Sequence, residues 1–107
     1  MTDTKDKKIT GTLKHATLCR IAYTNIRFIF AYIVDHVNPK FNQNDWFASS
    51  YILNIEKHHN HYLIRTANSL YKVKSFTEKV IPDKAIELVK NGCPPQRIDS
   101  ILFQNDN

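Results

Sequence analysis

Three imidazoles crowd the run His58-His59-Asn60-His61, the densest group of possible metal ligands in this chain of 107 residues. Imidazole nitrogen suits zinc, copper and nickel. Neighbouring His58 and His59 in a turn point apart, however, and no CxxC or HExxH spacing supports them. The tract therefore reads as a polar hairpin tip, with neither a metal nor another cofactor expected. His15 and Cys19 stand four apart. On a continuous strand that spacing is about 13 Å, beyond the reach a thiol–imidazole nucleophile needs. A core thiol beside a partly exposed histidine is the expectation. The acids Asp35, Asp45, Glu56 and Glu78 are scattered, and a chain with 2 glycines cannot build a glycine-rich phosphate cradle. Binding is expected here, and catalysis is not.

A different pattern points to a partner. Cations and rings interleave: Arg20 with Tyr23, Arg27 with Phe28, Tyr62 with Arg65, Tyr71 with Lys72 and Lys74. Small sheet domains hold single-stranded nucleic acid by stacking bases on rings while cations follow the backbone. The candidate contacts are Arg20, Arg27, Tyr62, Arg65, Tyr71, Lys72 and Lys74. Strand alternation alone can produce the same pattern, with the rings filling a core and the cations facing water. The formal net charge is +5, which favours polyanions weakly. The excess is uneven. Residues 1–20 hold five Lys/Arg against two acids, and residues 61–81 hold four against one.

A second reading is a protein–protein inhibitor or adaptor of the type that mobile genetic elements encode. The loop 36–45 would then supply aromatic anchors through Phe41 and the adjacent Trp46. A metal- or thiol-dependent enzyme is a distant third.

These side chains need elements to hold them. Residues 9–24, rich in Thr and β-branched types, read as one long bent strand or two broken near 15–17. The run 26–34, IRFIFAYIV, is apolar on both faces, as a central strand covered on each side would be. After the turn-rich 36–45, residues 46–56 alternate as one half-buried antiparallel strand. Hairpin turns at 57–60 and 67–69 separate the runs 61–66 and 69–76, completing a three-stranded meander. On the last run Tyr71 and Val73 face away from Lys72 and Lys74.

The C-terminal third turns helical. Pro82 and Asp83 open one helix that stops at Asn91-Gly92, and Pro94-Pro95 open a second that runs to Phe103. Residues 85–102 have helix-turn-helix spacing, with Gly92 in the turn and Ile98 six residues on. Two prolines at the second helix, and only Gln96 and Arg97 as contacts, make a capping α-hairpin the better reading.

The expected fold is α+β: a twisted antiparallel sheet of about five strands, or a small open β-barrel, with a C-terminal helical hairpin. One domain spans 9–103, between a disordered tail at 1–8 and a frayed end at 104–107. Two cysteines are too few for a disulfide scaffold, and no apolar run approaches the ~20 residues that span a bilayer. A cytoplasmic protein without membrane contact is expected, and a homodimer through an edge strand is plausible for so small a sheet.

Overall fold

The computed structural model describes residues 9–105. Seven strands make one open, mostly antiparallel sheet: β1 (Gly11–Ile21), β2 (Arg27–His36), β3 (Trp46–Ala48), β4 (Ile52–Lys57), β5 (Tyr62–Thr66), β6 (Leu70–Val73) and β7 (Phe76–Ile81). Their order is β3-β2-β1-β6-β5-β4, with β7 also on β1. Two short helices follow, α1 (Ile86–Lys90) and α2 (Ile98–Asn105), each entered through a 3-10 turn. The class is α+β as expected, with two strands more. Helix α2 runs two residues past the expected end, into the tail expected at 104–107, while the rest of that tail and the one expected at 1–8 lie outside the described residues.

Strand β1 organises the sheet. It pairs antiparallel with β2 along its whole length, and on its other side it runs parallel to two strands in turn. Gly11, Thr12 and Leu13 face β6, and from Ala16 onward β1 faces β7. The changeover coincides with a break at Lys74 and Ser75 and with a bulge in β1 where the β2 register shifts between Lys14 and Thr17. His15 sits in that bulge with φ 51°, a left-handed conformation uncommon for a side-chain-bearing residue. The expected bend near 15–17 is therefore real. The parallel pairing is a departure from the all-antiparallel expectation.

The expected single strand over 46–56 is a second departure, since it divides into β3 and β4 at opposite ends of the strand order. Ser49 causes the break: its Oγ accepts the Ile29 N–H at 3.0 Å and donates to the Ser50 carbonyl at 2.7 Å. Beyond it the facing reverses. Phe47 and Ser49 are buried, but Tyr51 and Leu53 point outward and Ile52 points in. A flat sheet of six strands would be about 24 Å wide. Residues 49–51 can bridge only about 14 Å, so the sheet curls.

Curling gives the sheet an inner and an outer face, each with its own core. The inner core gathers Leu13, Ala16 and Leu18 from β1, Ile29, Ala31 and Ile33 from β2, and Phe47, Ile52, Ile64, Tyr71 and Val73 from the remaining strands. On the outer face, Cys19, Phe28, Phe30 and Ile81 pack under Ala85, Val89 and Ile98 of the helical segment. Strand β2 is thus covered on both sides, as its doubly apolar sequence requires.

The helical cap is fixed by one residue. Gly92 has φ 106°, and the hydrogen bonds Cys93 N–H to the Leu88 carbonyl and Gly92 N–H to the Val89 carbonyl close α1 as a Schellman motif. Trp46 lies against it, and a Cβ at Gly92 would stand 3.0 Å from Trp46 Cε2. Gly92→Ala meets both the conformational penalty and that contact. The expected loss is about 2–3 kcal/mol of unfolding free energy, read from urea denaturation. An unchanged midpoint would show that this cap does not hold the hairpin.

Candidate functional site: a basic cleft at the strand break

Where β1 changes partner, the outer face opens into a cleft of about 430 Å³. Alternation explains its lining. Leu13 points into the inner core, so Lys14 points out; Tyr71 and Val73 point in, so Lys72 points out. Lys74 follows at the break, His15 is turned outward by the bulge, and His61 reaches in from the start of β5. Three lysines and two imidazoles thus line one concavity, and none of its lining residues is acidic.

Neighbours hold several of these groups. Lys14 Nζ donates to Asn44 Oδ1, which ties the 36–45 loop to the rim. The His15 ring stands edge-on to Tyr32 at 6.3 Å. His61 pairs with Asn60 Oδ1 at 2.8 Å and stacks on His58 at 5.1 Å, while His58 contacts Glu56 at 3.1 Å. Partial desolvation, then the charges of Lys72 and His58, hold the His61 pKa below its ordinary value. An anion in the cleft opposes both charge effects.

The sequence candidates separate into four places. Lys72 and Lys74 share the cleft. Arg20 and Arg27 line a different cavity, at the far end of the inner face. Arg65 lies by the 67–69 turn, with its Nε buried and without a hydrogen-bond partner. Tyr71 is only 5% exposed and packs 5.0 Å from the Phe47 ring, so no base can stack on it. Tyr62 is half-buried against Phe76 at 4.8 Å. The expected face of exposed rings and cations is therefore not formed by these residues. The rings serve the inner core, and the cations on the outer face converge without them. Sequence reasoning missed Lys14, His15 and His61 as cleft residues; the uneven charge of residues 1–20 signalled Lys14, while the two histidines stood out only as metal or nucleophile candidates.

Phe41 and Trp46 do not form one patch either. Phe41 covers the inner core edge, 4.3 Å from His36 and 5.7 Å from Phe47. Trp46 lies on the outer side, stacked on Phe30 at 6.2 Å and 44% exposed.

Chemistry at the other candidates is unfavourable. Cys19 is fully buried under the helices, and that burial pushes its thiol up to about 12, against a weaker lowering by Lys79. A thiol so placed stays protonated and unreactive. Among the described residues no three His, Cys, Asp or Glu side chains are grouped as a metal site would need. Among them too, no helix is long and apolar enough to cross a membrane. The chain matches no protein-family model, no curated protein and no solved structure.

Proposed function

We propose that this protein is a small non-enzymatic binding module that contacts single-stranded nucleic acid through the cleft of Lys14, His15, His61, Lys72 and Lys74. The observation that carries the reading is the convergence of three lysines and two imidazoles with no carboxylate in the lining. Backbone phosphates are the ligand such a surface fits, because each ammonium replaces a condensed counterion. With the rings committed to the core, recognition rests on charge and shape, and little sequence preference follows.

The test is a binding titration with a single-stranded oligonucleotide across salt and pH. Three lysine contacts imply a log–log salt slope near −2, so affinity falls about 20-fold between ~50 and ~200 mM salt. The pH dependence follows from linkage. Bound phosphate raises the depressed His61 pKa, so protons are taken up on binding and affinity climbs as pH falls from about 7.5 to about 5.5. Salt-independent binding, or none at low salt, would remove the proposal.

A partner-protein reading stands second, supported by Trp46. Its half-exposed ring is held flat between Phe30 and Gly92, and such a preorganised aromatic is a common interface anchor. It gains if no oligonucleotide binds at low salt.

A further inference from the structure

Arg20 and Arg27 are direct Cα partners across the β1–β2 ladder. The preceding pair on the same face is Leu18 with Ile29, both in the inner core. By the two-residue period the arginines therefore occupy the last rung of the inner face. Like charges directly opposite one another destabilise a strand pair. Among the described residues neither guanidinium forms an ion pair; Arg20 Nη1 donates only to the Thr24 carbonyl, at 3.1 Å. Both line a cavity of about 540 Å³ whose apolar wall is Leu18, Ile55 and Phe76. Glu78 is the single acid there. Two guanidiniums and one carboxylate leave the rim one net positive charge.

We infer that this cavity binds a short amphiphilic carboxylate, its head between Arg20 and Arg27 and its chain against Leu18, Ile55 and Phe76. Paired guanidiniums match the planar, bidentate geometry of a carboxylate. The net single charge suits a monoanion better than a phosphate chain. The chain must be short, because Ile29 and Ile64 deeper on the same face are fully buried and packed. The volume lies within the range of small-ligand pockets, and an apolar wall with few convergent polar groups is their usual composition. The site is on the opposite face from the basic cleft and does not depend on nucleic-acid binding there.

The experiment titrates the full chain with octanoate, octanol and acetate, following amide NMR shifts. Octanoate should bind saturably, with its largest shifts around Leu18, Arg20, Arg27, Ile55 and Phe76. Octanol, which lacks the charge, and acetate, which lacks the chain, should each bind at least about tenfold more weakly. Arg20→Gln and Arg27→Gln should each weaken octanoate at least about tenfold while keeping the native spectrum, since each removes a like-charge opposition. Four results would overturn the inference: no saturable octanoate shifts, equal binding of octanol, undiminished binding by both variants, or displacement of octanoate by an oligonucleotide. The last would make the arginines an extension of the polyanion surface.

Discussion

Replacing Phe28 by Ala is expected to lower the unfolding free energy by about 3–5 kcal/mol. The ring is fully buried between β2 and the helical segment, in the outer core with Cys19, Phe30, Val89 and Ile98. Removing it opens a cavity on a surface that two short helices must cover, and neither is long enough to hold its shape without that packing. Lys90 adds to the effect. Its ammonium stands 4.9 Å from the Phe28 ring centre and 4.5 Å from that of Tyr51, and it donates to the Ser49 carbonyl at 3.3 Å. Burial lowers the Lys90 pKa, with Glu87 opposing, so loss of the ring leaves a partly desolvated cation with one aromatic face fewer. A domain of this size has about 5–15 kcal/mol in total. The variant should sit close to its threshold, visible as a large drop in urea midpoint. A loss under about 1 kcal/mol would mean the helices are not packed on β2 as described.

The second large effect falls on binding and leaves stability alone. Changing Lys14, Lys72 and Lys74 together to Ser should flatten the salt dependence of oligonucleotide binding. Affinity at ~50 mM salt should fall by more than about 100-fold. Each single change should reduce the slope by about 0.7. The three side chains stand on the outer face, away from both cores, so unfolding free energy should move by less than about 0.5 kcal/mol. Changing Arg20 and Arg27 instead should leave the salt slope nearly intact, because they line the other cavity. Wild-type affinity in the triple variant would show that the cleft is not where the backbone lies.

Much of this architecture is legible in the chain. The doubly apolar run of β2 demands two covered faces, and it has them. Asn91-Gly92 reads as a helix stop, and Gly92 is the left-handed residue that makes one. Alternation around Tyr71 and Val73 already places Lys72 and Lys74 outside, and the same alternation places the Tyr71 ring inside. Taken consistently, it removes Tyr71 from any stacking surface. The strand β7 was harder to see. Val80 is 49% exposed while Ile81 is fully buried, so its pattern follows its partner β1 and not an apolar face of its own. The division of 46–56 was hidden for a related reason. The run Phe47, Ser49, Tyr51, Leu53, Ile55 continues across Ser49 in the sequence and carries no mark of the hydroxyl that captures the Ile29 N–H. The cleft as an assembly could not be read, since Lys14 and His61 meet only through pairing between distant strands.

That pairing also bears on how the chain is made. Of the seven strands, the one at the centre of the sheet is made before the others, while the residue that closes it, Leu70, donates to Thr10 Oγ1 from 60 positions later. Until β6 and β7 emerge, one side of β1 has no neighbour, and the β1–β2–β3 meander must wait as an incomplete ribbon. Such non-local closure belongs to the millisecond-to-second class of folding rates. During synthesis, the strand that ends up inside the sheet is for a time an open edge.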